Sequence, residues 1–374
     1  MKVLSLFSGA GGIDLGFEAA GGTTVFSADV MPEAISTMRN FWRGATLFGP
    51  PSHSGNVAEL TRGRVRELIG DVEIDVMVGG PPCQSFSVAA AQRFLSGDQR
   101  FKRTGFESED KGRLVFEYAR LIRSLRPKVF LIENVPGILT IDGGSGISEV
   151  YRYLEASGYQ ISTPTVVDAA DYGVPQHRKR AFVIGNRIGE SFVFPQPSHG
   201  KTQTLLTLPH VSVAQALYGI PKSAMNHETR EHAEGSIARY RTVGVGQRES
   251  QGRVDRLNPC LPSKTVIAGG TKGGGRSHLH PFEVRTLTVR ECARLQTFPD
   301  EMEFVGSTAR QFTLVGNAVP PLLAEVIARE ISAQIFRVKH DGAFRYAVPH
   351  IEPQTAISEL FNVAVESGRP LYSD

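Results

Sequence analysis

Cysteine is scarce in this chain: 374 residues contain three, and no two form a C-x-x-C pair. That scarcity argues against a disulfide framework and a structural zinc site, and it fits a reducing cytosol. Long apolar runs are missing as well. No segment approaches the roughly 18 apolar residues of a membrane span, and the opening MKVLSLFSGAGGIDLGFEAAGG turns to Asp14 and Glu18 too soon for a signal peptide. A protein without a membrane partner, in the cytoplasm, is expected. Neither sign of charge dominates, the formal net being +3, and there is no internal repeat. The charge is nevertheless uneven: Arg187 to Arg285 holds 13 Lys and Arg against 7 Asp and Glu. A nucleic-acid face would be sought there.

What is present is patterned. The length suits two domains, or one large domain with an insertion. Val3 to Phe7, Thr24 to Ala28, Asp75 to Val78 and Val129 to Glu133 read as strands. Helices are predicted from Ile13 to Ala20, from Pro32 to Phe41, over Gly112 to Leu125, and over Ile147 to Ser157 with Gly158 closing the last. Tyr159 to Val167 and Arg180 to Gly185 then read as two strands with no helix between them. This alternation predicts a doubly wound, mostly parallel α/β sheet whose ligands lie beyond the carboxyl ends of its strands. The last strand carries its polar motif in front, so it must run antiparallel to bring that motif to the same edge. From Asn186 to His280 the texture turns irregular, with turn-rich pieces such as VGVGQRESQG and IAGGTKGGGRSH. Regular structure resumes at TVRECARLQTF and in a helix opened by Pro320 and ending near Phe336, before a weakly patterned tail. The expected division is a main domain of 1–186 plus 283–340, a smaller irregular, β-rich domain of 187–282, and a tail of 341–374.

Several short stretches carry chemistry. FSGAGGIDLGF follows the first strand, and its glycines let the backbone approach a ligand at the start of a helix. It does not match G-x-G-x-x-G cleanly, so a dinucleotide is weakly supported. Asp29, after the second strand, stands where acidic residues accept ribose hydroxyls. VGGPPCQSFS holds Cys83 on a stiff turn at the ligand edge, where a thiolate would be a nucleophile rather than an inert core residue. LIENVPG ends its strand on Glu133, a carboxyl group able to hold or pass a proton when partly desolvated. In QHRKRAFVIG, Arg178 and Arg180 alternate and so share one side of the strand. GGTKGGG lacks the G-K-[ST] of a phosphate loop. His227 and His232 are five apart, poor spacing for one metal, and read as surface residues; no metal is expected.

Taken in order, FSGAGG, PPCQSFS, ENV, QHRKR, RECARLQTFPD and GNAVPP resemble the motif series of the DNA (cytosine-5) methyltransferases, from about Val3 to Glu330. The resemblance implies a Rossmann-like methyltransferase domain that binds S-adenosylmethionine and releases S-adenosylhomocysteine, with the basic insert as target recognition domain. It implies catalytic roles for Cys83 as nucleophile, Glu133 at the cytosine N3, Arg180 with Arg178 at O2, and Asn134 orienting Glu133 or lining the proline turn. The methyl donor would meet Phe7, Ser8, Gly9, Gly11, Gly12, Ile13, Asp29, Val30, Asn56, Val57, Pro81, Asn317 and Val319. Asn56 departs from the acidic residue common there, and the loop between Ser87 and Gly112 is longer than usual. DNA would meet Gln84, Ser85, Ser87 and Arg93 after the cysteine, and Gln251, Thr265 and Val266 in the insert. The implied partners are double-stranded DNA, read by a monomer, and a cognate restriction endonuclease acting on the same sites. A nicotinamide or flavin oxidoreductase would leave Cys83, Glu133 and the basic insert unassigned. A DNA-binding protein without catalysis leaves the Cys83, Glu133 and arginine set without a purpose, and a transfer-RNA methyltransferase remains an alternative that only substrate tests separate.

Overall fold

The computed structural model describes residues 1–42, 44–82, 113–249, 254–268 and 278–372. Within them, β1 (Lys2–Leu6), β2 (Thr23–Ala28), β3 (Thr46–Phe48), β4 (Val76–Gly79), β5 (Val129–Asn134), β6 (Gln160–Ile161), β7 (Thr165–Asp168) and β8 (Lys179–Asn186) form one sheet. Its order is β3-β2-β1-β4-β5-β8-β6, with β7 also on β8. The five strands β1 to β5 run parallel. β8 opposes β5, pairing Glu133 with Phe182 and Asn134 with Ala181, as the placement of its polar motif required.

Alternation along the strands builds a core on each face. Val3, Val76, Val78, Val129, Leu131, Phe182 and Ile184 face one hydrophobic cluster. Leu4, Leu6, Phe26, Met77, Phe130, Ile132 and Val183 face the other. Helix α1 (Gly12–Ala19) belongs to the first side and packs on the late helix α10 (Pro321–Gln334). Gly16 permits that approach, because a Cβ there would stand 2.4 Å from the Ala324 Cβ. The second side is covered by α4 (Arg113–Leu125) and α5 (Ser145–Glu155), while α2 (Pro32–Phe41) and α3 (Arg62–Ile69) link the outer strands.

Three local readings change. The single strand expected over Tyr159 to Val167 is two, β6 and β7, split around Pro164, which has no N–H to give to a ladder. β3 and α3 carry little sequence signal: β3 has three residues, and Val65 is the buried residue of α3. The weakly patterned tail contains α11 (Pro353–Glu366), whose Ala356 and Leu360 join the first core cluster.

The segment 187–282 supplies β9 (His199–Gly200), β10 (Leu208–Pro209), α6 (Val213–Leu217), α7 (Glu234–Arg241), β11 (Asp255–Arg256) and β12 (His278–Leu279). Tyr240, Val243, Val254, Leu279 and Val284 make a small cluster of their own. Val213, Ala214, Leu217, Leu257 and Val266 instead belong to the first core. Chain order then returns through α8 (Val289–Leu295) and α9 (Thr308–Asn317) to α10. Thr308–Gln334 is long and apolar enough to cross a membrane, but 83% of its window is buried in the protein. It is a core element.

Candidate active site

The carboxyl edge of the sheet gathers most of the described candidates. After β1 the chain turns through Phe7 and Gly9, both with left-handed φ, at 55° in each case. The turn is held from below. Ser8 Oγ donates to Ser5 Oγ (2.9 Å), Ser5 Oγ donates to Asp14 Oδ2 (2.9 Å), and Ser27 Oγ donates to Asp14 Oδ1 (2.8 Å). Asp14 is fully buried, and desolvation lifts its pKa to about 6 against the opposing hydroxyls. Sequence reading missed this residue, although an acidic residue in an otherwise apolar Gly-rich helix start is the signal that could have found it. Ile13 is half-buried against the first core cluster.

Gly12 opens α1 with no room to spare. A Cβ there would stand 2.1 Å from the Val319 carbonyl oxygen, which is backbone and cannot swing away. Gly12→Ala is therefore expected to cost about 1–3 kcal/mol by overpacking, visible as a lowered Tm in thermal melts, whereas Gly9→Ala, with nothing within 4 Å, meets only φ strain.

Asp29 follows β2. Its Oδ2 accepts from the Gly9 N–H and its Oδ1 from the Met31 N–H, both at 2.8 Å. Desolvation raises its pKa against those bonds. Each carboxylate oxygen retains a lone pair for a further donor. Val30 beside it is 59% exposed, an apolar side chain at the mouth of the edge. Asn56, also exposed, accepts from the Ala58 N–H through Oδ1 (3.0 Å), and Val57 is buried behind it. Asn317 ends α9 on the surface, next to the buried Val319.

The reactive side lies over β4, β5 and β8. Arg180 Nε meets Glu133 Oε1 at 2.9 Å, with 15% and 11% of the two side chains exposed, so the pair is shielded yet reachable. Gly80 stands against it: a Cβ there would be 2.6 Å from Glu133 Oε2. Asn134 Nδ2 donates to the Pro81 carbonyl at 3.0 Å, tying the proline turn to β5. Cys83, Gln84, Ser85, Ser87, Arg93 and Gln251 lie outside the described residues. Of the other cysteines, Cys260 is exposed and Cys292 is buried, its thiol pushed up by desolvation and so unreactive.

Arg178 and Arg180 are not brought together on one target. Arg178, 1% exposed, donates through Nη1 to the Val266 carbonyl (3.3 Å) and through Nη2 to the Gly316 carbonyl (3.0 Å). Burial and then the neighbouring Arg180 depress its pKa. Thr265 Oγ1 donates to the His177 carbonyl (2.7 Å), and the Val266 N–H donates to Gln176 Oε1 (2.8 Å). These bonds fasten the insert to the start of β8. Gln176, wholly buried, went unnoticed in the sequence because a glutamine beside a charged run carries no pattern of its own. His227 and His232 are half-buried rather than on the surface: His227 Nδ1 lies 2.9 Å from Thr288 Oγ1, and His232 Nε2 accepts from the Thr286 N–H at 3.3 Å. Desolvation lowers both pKa values. Among the described residues no cluster of metal-ligand type occurs.

A parallel sheet with a glycine turn, an acidic residue after β2 and an antiparallel final strand defines the Rossmann-like methyltransferase fold. The solved structure described as a DNA modification methyltransferase encoded within an E. coli prophage shares it with a TM-score of 0.72 at 25% identity, covering 90% of this chain and 99% of that one. The S. pombe Dnmt2 methyltransferase shares the fold with a TM-score of 0.63 at 17% identity, covering 90% of this chain and all of that one. The chain belongs to the C-5 cytosine-specific DNA methylases, whose family profile matches residues 1–333, and it is accordingly a DNA (cytosine-5) methyltransferase. It is 34% identical to type II methyltransferase M.NgoFVII of Neisseria gonorrhoeae, over 88% of this chain and 86% of that protein. It is 33% identical to type II methyltransferase M1.HphI of Haemophilus parahaemolyticus, with the same two coverages.

Proposed function

We propose that this enzyme transfers a methyl group from S-adenosylmethionine to carbon 5 of one cytosine within a short duplex sequence, flipping the base out and joining it transiently to Cys83. The observation that carries this reading is the Asn134–Pro81 bond beside the Glu133–Arg180 pair. It holds the backbone two residues before Cys83 against the strand that ends in the carboxylate.

The residues present suit the methyl donor. Gly9 leaves open space over the turn, Val30 offers an exposed apolar surface to a base, and Asp29 keeps acceptor capacity for ribose hydroxyls. Phe7, Ser8, Gly11, Gly12, Ile13, Asn56, Val57, Pro81, Asn317 and Val319 complete the proposed cradle. The bound donor supplies the methyl group as an electrophile on a sulfonium.

The chain's own residues do the rest. The Cys83 thiolate adds to carbon 6, and the electron pair so displaced makes carbon 5 nucleophilic. Glu133 holds a proton at N3 and steadies the exocyclic amine, while Arg180 donates to O2, where negative charge gathers. Arg178 acts through position, locking the strand that presents Arg180. After methyl transfer the carbon 5 proton leaves, the double bond re-forms and the thiolate departs. Extruding the base costs a few kcal/mol of stacking, which Gln84, Ser85, Ser87, Arg93 and Gln251 are proposed to offset at the gap. Thr265 and Val266, expected at the DNA, instead seat the recognition segment, since Val266 is only 1% exposed and both are hydrogen-bonded to the start of β8.

We further propose that 1–186 with 283–340 forms the catalytic domain, that 187–282 is the target recognition domain and 341–374 its appended tail, and that the enzyme works as a cytoplasmic monomer. The type II relatives suggest a cognate restriction endonuclease as its functional counterpart. A duplex carrying 5-fluorocytosine at the target tests the mechanism, because fluorine cannot leave as a proton. Wild type with methyl donor should form a complex that survives denaturing electrophoresis, and Cys83→Ser should not. Absence of that complex on a duplex whose ordinary cytosine is methylated would remove the covalent step.

A further inference from the structure

Two leucines stand in water with nothing in the fold to explain them. Leu205 and Leu206 are 105% and 88% exposed, in the loop joining β9 to β10, and Leu208 is 57% exposed at its end. The loop is built. Thr204 Oγ1 accepts from the N–H of Leu206 (3.2 Å) and of Thr207 (3.0 Å) and lies 2.8 Å from Thr207 Oγ1. The Thr204 N–H donates to the Thr207 carbonyl at 2.9 Å, closing the turn that presents both leucines.

The root of this loop is at the reactive edge. β7 runs antiparallel to β8, and Asp168 pairs with Lys179, so the turn after β7 continues beyond the carboxyl end of β5. The loop stands on that turn. The Ser198 N–H donates to the Asp171 carbonyl (3.0 Å), His210 Nε2 meets Asp171 Oδ1 (3.0 Å), and the His210 ring lies edge-on to His177, centroids 5.5 Å apart. His177 directly precedes Arg178. From Ser191 to His227 there is no Asp or Glu, while Lys201, Lys222 and three histidines are present. The adjoining acids, Asp168 and Asp171, are each engaged by a histidine.

An exposed apolar pair presented by a hydrogen-bonded turn on an acid-free segment suits a polyanion that offers an apolar interior, and stacked bases inside a phosphate backbone are that combination. We propose that Leu205 and Leu206 form a wedge that enters duplex DNA near the extruded cytosine and unstacks a neighbouring base step. This rests on the functional reading above and adds to it a positioning element outside the catalytic groups.

The test is the pair Leu205→Ser/Leu206→Ser, which keeps the Thr204 turn, with Leu205→Met/Leu206→Met as the conservative partner. The serine pair should raise KM for plasmid DNA at least about tenfold, leave kcat and methyl-donor binding within twofold, and lose the fluorescence rise of 2-aminopurine placed beside the target base; the methionine pair should restore both. An unchanged KM and an unchanged fluorescence rise would overturn the wedge while leaving the functional reading intact. So would a wild-type dimer in sedimentation that the serine pair converts to monomer with KM unaltered, because the leucines would then serve self-association. A wild-type protein that neither binds nor methylates duplex DNA would overturn the functional reading itself.

Discussion

Glu133→Gln should lower methyl transfer by about 10²–10⁴-fold while methyl-donor affinity stays within twofold, and the Tm should fall because the shielded Arg180 loses its counter-charge. Glutamine keeps the volume and a carbonyl oxygen for Arg180 Nε, now 2.9 Å from Glu133 Oε1. It cannot hold a proton for the cytosine ring, so the loss should fall on kcat. Single-turnover incorporation of labelled methyl groups, with calorimetric titration of the methyl donor, separates chemistry from binding. A variant within tenfold of wild type would show that the carboxyl group is a bystander. Arg180→Lys is not a mild companion change, because a point charge cannot both hold Glu133 and present a planar donor to O2.

The second large effect is on stability, far from the chemistry. Arg285 donates to both oxygens of Glu283, at 2.9 Å each, and to both oxygens of Glu291, at 2.9 and 2.8 Å. All three side chains are nearly sealed, with 7%, 3% and 3% exposed. Glu291 also caps α8, accepting from the Thr288 N–H at 2.7 Å. Arg285→Leu leaves the buried Glu291 without a cation and Glu283 with only Arg369, 3.3 Å from its Oε2, and should cost about 3–5 kcal/mol.

The pH dependence gives a sharper check. In the wild type desolvation opposes ionisation of both glutamates, but Arg285 outweighs it and holds their pKa values below the usual 4.5. Depressed carboxylates stabilise the fold above about 4.5 and lose that contribution as pH falls through their lowered values. In the variant Glu291, desolvated and unpaired, shifts upward, and stability is lost as pH rises through it, while Glu283 keeps Arg369. The deficit of Arg285→Leu should therefore be largest near neutrality and shrink below about pH 5. His280, kept neutral by burial and then by Arg285 with a pKa lowered to about 4, adds its own wild-type loss as pH falls from 6.5. Denaturant melts at pH 7.5 and 4.5 decide the matter; a deficit independent of pH would mean that packing, not charge, is what Arg285 contributes.

Much of the fold was open to reading because its signals are local. Val76–Gly79 and Val129–Asn134 are short apolar runs bounded by turn residues, and a doubly buried parallel strand has no other texture. The antiparallel sense of β8 followed from one requirement, that Arg180 reach the edge where Glu133 ends. β6, β7 and α11 were blurred for equally local reasons: a proline inside one run, and a helix whose buried residues are only Ala356, Leu360 and Ala364.

Reading the chain alone sufficed for the family, the mostly parallel sheet and the antiparallel sense of β8, because short motifs at strand ends carry both the turn chemistry and the groups expected to react. Tertiary structure alone decided what each charged or polar side chain is for. Two arginines separated by one residue look equivalent in the chain. One becomes the partner of Glu133, and the other is buried to bind the Val266 and Gly316 carbonyls from segments 88 and 138 residues away. Asp14, Gln176 and Arg285 likewise acquire their roles from partners the chain brings to them only on folding, since burial makes every unpaired polar atom costly and so selects the contacts that satisfy it.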